Sequence, residues 1–314
     1  MQSIPFTDSR IFKIATFLTI SIISIAILIL GKSFLIPLAW GLLIALASIR
    51  MLDKVEKKLK INRLLTSILF VGVVILGILF LFYFFYSEIR SIISGMPSFT
   101  GKLSNVFQNL LNTAEGYGIS IPENIDKQSV HEWVHNHSAI ITGALASFGK
   151  NFAEIFMVAI YLFFFIYFRD NYLYYLKLRE KTDAGFNEAI KKYTVVMHVI
   201  NNFIYGYFIM TLLMAIMLFV IFLLIGLKYA LFFAILVALL TLIPYIGYPL
   251  GMVIVFVFTS ISYDGLLIPL LALGGILISN TLKGYIFKPI IIGDKIKLNA
   301  FIIFLSVIVG GMIW

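Results

Sequence analysis

The chain has 314 residues, of which 61% are hydrophobic and only 12% charged, a balance that excludes an ordinary soluble domain and implies a protein crossing the membrane several times. It contains no cysteine, which excludes a disulfide framework and any thiolate metal or iron–sulfur site. A net charge of +9 would draw a soluble chain to nucleic acid, but in a membrane protein basic residues are first of all markers of orientation.

A helix needs about 20 mainly apolar residues to cross a hydrocarbon core of ~30 Å. Residues 14–31 and 33–49 meet this as a hairpin around Gly31-Lys32-Ser33. No small-residue cleavage site follows the first of them, so it is a retained span and not a signal peptide. Residues 64–87 form a third span, and 155–168, extended back to Phe152, a fourth. The runs 193–228, 229–263, 265–282 and 298–314 bring the total to about eight membrane segments, the last few discontinuous or re-entrant. The expected fold is therefore an all-α polytopic membrane protein with a small helical extracytoplasmic insertion. Its parts are residues 1–86 (N-terminal hairpin and third span), 87–150 (insertion) and 151–314 (C-terminal transport core).

Lysine and arginine orient these spans. Arg50, Lys54, Lys57, Lys58, Lys60 and Arg63 crowd the loop after the second span, and Arg169, Lys177, Arg179, Lys181, Lys191 and Lys192 crowd the loop after the fourth. Both loops are expected in the cytoplasm, and the N-terminus with them. Residues 87–150 carry only Arg90, Lys102, Lys127 and Lys150 and are expected outside. The positive charge is accounted for by topology, so the lipid bilayer is the expected partner and nucleic acid is not.

Within the insertion, Phe99, Leu103, Phe107, Leu110 and Leu111 recur at helical spacing behind Pro97-Ser98, and Gly116-Tyr117-Gly118 ends the pattern. A second helix carries Val130, Val134, Ile141, Leu145 and Phe148, and with it the letters His131-Glu132-Trp133-Val134-His135. H-E-x-x-H places two histidines one turn apart for zinc, with a glutamate to activate water. A catalytic zinc wants a third protein ligand, which neither His137 nor the sequence after it supplies in the right place. The motif is read as the solvated face of a short cap helix, with a metal or proton-sensing patch at His131 and His135 as the lesser alternative. No enzyme activity and no cofactor are expected.

The C-terminal third carries more chemistry. Leu242-Ile243-Pro244-Tyr245-Ile246-Gly247-Tyr248-Pro249-Leu250-Gly251 interrupts one apolar run, and Lys288-Pro289 to Gly293-Asp294 interrupts another. Proline removes a backbone donor, and unpaired backbone at membrane depth is tolerated only where it is buried in protein or lines a wet cavity. Two Pro/Gly-broken segments point to a transport site built from discontinuous helices. Candidate solute- or ion-binding residues are Pro244, Tyr245, Gly247, Pro249, Gly251, Pro289, Gly293 and Asp294, joined by Asn201, Asn202, Asp264 and Asn280 as polar groups in or beside apolar spans. Asp264 and Asp294 are the carboxylates for proton or sodium exchange; alternatively asparagine, tyrosine and freed backbone groups hold a neutral solute.

The chain resembles the autoinducer-2 exporter (AI-2E) family of bacterial transporters. The resemblance rests on the ordered blocks Ile225-Gly226-Leu227-Lys228-Tyr229-Ala230-Leu231, Ile243-Pro244-Tyr245-Ile246-Gly247-Tyr248-Pro249-Leu250-Gly251, Phe287-Lys288-Pro289 through Gly293-Asp294 to Asn299, and Gly310-Gly311. It implies about eight spans, a plasma-membrane location, homo-oligomers and export of small polar metabolites, with sodium–proton antiport in some relatives. Where many members carry a glutamate before the second proline, the nearest ionisable group here is Lys283, and the chain ends soon after Gly310-Gly311, as a truncated member would. Transport is thus the leading expectation, ahead of a non-transporting scaffold or sensor and of a zinc protease.

Overall fold

In hydrocarbon every backbone N–H and C=O must find a partner within the protein, which restricts lipid-facing segments of this composition to helices or closed barrels. The computed structural model describes residues 10–94, 116, 152–171, 174–175, 178, 183–263, 265–291 and 299–313, and among these no strand occurs. The helices are α1 (Arg10–Leu30), α2 (Lys32–Leu59), α3 (Arg63–Ser94), α4 (Phe152–Tyr167), α5 (Asp183–Leu224), α6 (Ala230–Leu240), α7 (Gly247–Ser262), α8 (Leu267–Leu282), α9 (Lys288–Ile291) and α10 (Ala300–Ile313). Five stretches are long and apolar enough to span a membrane: α1, α2, α3, α5 and the continuous run from α8 to α9. The all-α polytopic architecture expected from sequence is present. His131 and His135, and nearly all of 87–150, lie outside the described residues.

Two cores organise the helices. In the first, α2 buries Pro37, Gly41, Ala45, Ser48 and Leu52 along one face. Small residues on that stripe let α4 approach backbone to backbone, the usual way helices associate in lipid, where apolar burial gives little drive. A Cβ built on Gly41 would stand 2.9 Å from Tyr161 Cβ and 3.1 Å from the Leu162 nitrogen. Gly41→Val is therefore expected to push α2 and α4 apart and lower the melting temperature in detergent by several degrees. A variant that melts like the native chain would refute the close approach.

Charges close this core at its basic end. Arg169, just past α4 and only 5% exposed, pairs with Asp53 at 2.6 Å and Glu56 at 2.5 Å, both on α2. Arg63, the first residue of α3, pairs with Asp170 at 2.5 Å. The three helices α2, α3 and α4 are thus joined by two arginines.

The second core surrounds the C-terminal helices. α5 presents Met210, Met214, Leu218 and Phe222, four residues apart and almost wholly buried, so that they form one continuous face. Met214, Leu218 and Phe222 pack in one cluster with Phe232, Phe233, Ala234 and Val237 of α6, Val255 and Phe258 of α7, and Ala272 and Ile276 of α8. The outer surfaces of the bundle, α1 above all, expose Ile, Leu and Phe side chains, as suits helices bathed in lipid.

Two features of the broken region differ from expectation. The first interruption is shorter than residues 242–251: α7 already begins at Gly247, with Pro249 in its first turn. Proline is admissible there because first-turn N–H groups have no intrahelical acceptor. The second interruption starts earlier than Lys288. A π-turn, Lys283–Phe287, follows α8, its extra residue shown by the bond from Lys288 N–H to the Lys283 carbonyl, and the helix then continues through Pro289 to Ile291. The physical reason is Pro289: its ring would clash with the carbonyl four residues back, at Tyr285, and a widened turn relieves this.

Candidate functional site

Helix α6 has 11 residues, about 16 Å at 1.5 Å per residue, roughly half a hydrocarbon core. After it the chain turns back. Leu242 and Ile243 N–H groups bond to the Leu239 and Leu240 carbonyls at 3.0 and 2.9 Å, Ile246 N–H bonds to the Pro244 carbonyl at 2.7 Å, and Gly247 N–H bonds to the Ile243 carbonyl at 3.1 Å. Tyr245 takes φ 63°, a left-handed conformation uncommon for a tyrosine and a local strain at the turn.

The contacts along α6 and α7 show an antiparallel re-entrant hairpin. Gly247 lies on the Leu240 carbonyl, so close that a Cβ would fall 1.6 Å from its oxygen. One turn on, Gly251 faces Val237, whose Cγ1 would be 3.2 Å from a Cβ there. At the far end Tyr263 donates its hydroxyl to the Gly226 carbonyl at 2.9 Å and accepts from Lys228 N–H. The base of the hairpin thus sits where α5 ends, beside Ser91 near the end of α3, whose Oγ is 3.2 Å from the Tyr229 hydroxyl. That is the end of the bundle away from Arg50 and Arg169. The tip, Thr241 to Ile246, stands one length of α6 from that base, about 16 Å, or roughly half the thickness of a hydrocarbon core.

A lysine meets the tip from α8's continuation. Lys283 Nζ donates to Thr241 Oγ1 at 2.7 Å, and Thr241 Oγ1 donates in turn to the Ala238 carbonyl at 2.7 Å. On another side the Tyr245 ring meets Phe304 of α10 edge to face, with centroids 6.4 Å apart. The two interrupted stretches are therefore one structure: the hairpin tip and the start of the π-turn are joined by a lysine–threonine bond.

The sequence candidates separate into two places. Pro244, Tyr245, Gly247, Pro249 and Gly251 make up the tip and the adjoining turns of α7, Gly247 and Gly251 buried and the other three exposed. Asn280 is partly buried in α8 one turn before Lys283, and Pro289 is exposed in α9. Asn201 and Asn202 lie instead near the basic end of α5. Asn202 Oδ1 accepts from Arg50 of α2, which also meets His198 Nδ1 at 2.6 Å. Asn201 is 6% exposed, and its Oδ1 has no hydrogen-bond partner among the described residues. Asp264, Gly293 and Asp294 lie outside the described residues. Among those described, no group of three or more His, Cys, Asp or Glu is arranged to hold a metal.

What the sequence reading missed is Thr241 and its partnership with Lys283. A signal was present, because Lys283 and Lys288 are the only charged residues between Leu267 and Ile291, and a charge within an apolar span is by default a functional candidate.

With a half-membrane hairpin, a π-turn and a charged contact between them, the arrangement is that of a transport protein built from discontinuous helices. Comparison with protein families agrees: the model described as AI-2E family transporter matches residues 18–314. The chain belongs to the AI-2E transporter family. No curated protein matches it significantly. The family match covers both cores, so α1 to α4 belong to the AI-2E unit as fully as the hairpin does. Family membership and the long apolar helices together make the protein a multi-pass membrane transporter.

Proposed function

We propose that this AI-2E transporter exports a small polar metabolite of the autoinducer-2 type across the bacterial plasma membrane, with its N-terminus and the Arg50 and Arg169 end in the cytoplasm. The observation that carries the reading is the re-entrant hairpin. A turn with exposed Pro244 and Tyr245 stands at the end of a helix about half a hydrocarbon core long, and the Tyr245 phenol and the backbone of the turn supply groups for a hydrogen-bonding solute. The excess of basic residues at one end supports the orientation.

Coupling to protons or sodium would run through a carboxylate that exchanges the ion, with Asp264 and Asp294 as the sequence candidates. The test is flux in reconstituted vesicles loaded with a panel of small polar metabolites, run with and without imposed sodium and pH gradients. Export predicts efflux of at least one solute well above the rate of protein-free vesicles. Sodium–proton exchange with no solute movement would instead establish the antiporter reading, and silence across all arms would defeat both.

A further inference from the structure

The Lys283–Thr241 contact holds more than the two helices together. Thr241 is the residue that caps the C-terminal end of α6. The Lys283 ammonium, 2.7 Å from the Thr241 hydroxyl, is thereby stationed at that end. The C-terminus of a helix carries partial negative charge and favours a cation. In transporters made from broken helices, such half-helix ends and the unwound carbonyls beside them are the places where coupling sodium ions are bound. Here a side chain brings the cation. Its four-carbon stem runs from Lys283, where α8 passes into the π-turn. The ion pairs found among the described residues involve Arg63, Arg169 and Lys192, and none involves Lys283. Among the described residues, the helix end and the Thr241 hydroxyl are the groups that receive its charge.

One half-charge at a helix terminus suits one monovalent cation. A second cation a few ångströms from a fixed ammonium would meet repulsion that the low-dielectric surroundings amplify. We propose that Lys283 is a built-in cation at the hairpin tip, occupying by a covalent tether the place that a mobile sodium ion would take, so that the tip functions without bound sodium. This rests on the reading that the tip lies on the translocation route.

The test is thermal unfolding of the full chain in detergent, in sodium chloride and in choline chloride of equal ionic strength. The native chain is expected to melt at the same temperature in both salts. Lys283→Ala empties the end of α6, and its lowered melting temperature is expected to rise by several degrees in sodium but not in choline. Adding Thr241→Val to Lys283→Ala removes the hydroxyl and should abolish that response. Lys283→Gln, which retains an N–H donor for Thr241 but no charge, gives the same comparison if the alanine variant does not fold. Sodium stabilisation of the native chain, or neutral variants that respond to sodium no more than the native chain, would overturn the proposal. Because the readout needs no solute, it stands apart from the flux panel: silent vesicles with the expected salt pattern would defeat the transport reading alone.

Discussion

Gly247→Ala is expected to be among the most damaging single substitutions in the chain, with loss of the folded hairpin and of any flux that depends on it. The added methyl would fall 1.6 Å from the Leu240 carbonyl oxygen, about half of an ordinary contact, and the obstacle is backbone, so no side chain can swing aside. Overpacking a core costs roughly 1–3 kcal/mol when neighbours can adjust, and this case lies at or beyond the upper end. Reopening the site means parting α6 from α7 at the tip, which also separates Gly251 from Val237 and displaces Thr241 from Lys283. The check is melting temperature and vesicle flux measured on the same preparation. An alanine variant with native values of both would show that α6 and α7 do not approach in this way.

The second large effect is expected at Arg169. Arg169→Ala removes the partner of both Asp53 and Glu56 and leaves Glu56, whose side chain is only 14% exposed, as an uncompensated charge. Removing one member of a buried ion pair costs about 3–5 kcal/mol, whereas replacing the pair by apolar or neutral groups costs far less. The double variant Arg169→Met with Glu56→Gln is therefore expected to be markedly more stable than Arg169→Ala. Thermal unfolding of the two variants and of Glu56→Gln alone completes the comparison. If the double variant is the less stable, the arginine contributes through packing and not through charge.

Much of this architecture is legible in the chain because lipid leaves few options. Runs of apolar residues must be helices, and the clusters around Arg50 and Arg169 do lie at one end of the bundle. The Pro244–Gly247 break is legible for the same reason, since proline and glycine stop a helix wherever it lies. Whether the chain passes on through the membrane or turns back is not written in those residues alone. It depends on Gly247 meeting the Leu240 carbonyl, a contact between backbones that no periodicity records. The length of α6 was the available clue, because 11 residues cannot cross.

Pro289 misleads in a different way, as its effect is felt one turn upstream, in the widened Lys283–Phe287 turn, while the proline itself stays helical. The pairing of Arg50 with His198 and Asn202 spans about 150 positions and could not be read from local pattern at all. Asn202 looked like a polar entry to a span; the structure shows it accepting from an arginine of α2.

The depth of the hairpin bears on how the membrane's voltage is distributed. If α6 reaches ~16 Å into a core of ~30 Å and the tip is wet on its open side, the insulating layer left beneath it is only about half as thick as the surrounding bilayer. The potential then falls steeply across that thin layer, next to the ammonium of Lys283. Moving one elementary charge through the full potential is worth about 2.3 kcal/mol per 100 mV, so a displacement of the tip across even part of the layer would carry gating charge. Lys283, bound to the tip through Thr241, would register such a movement.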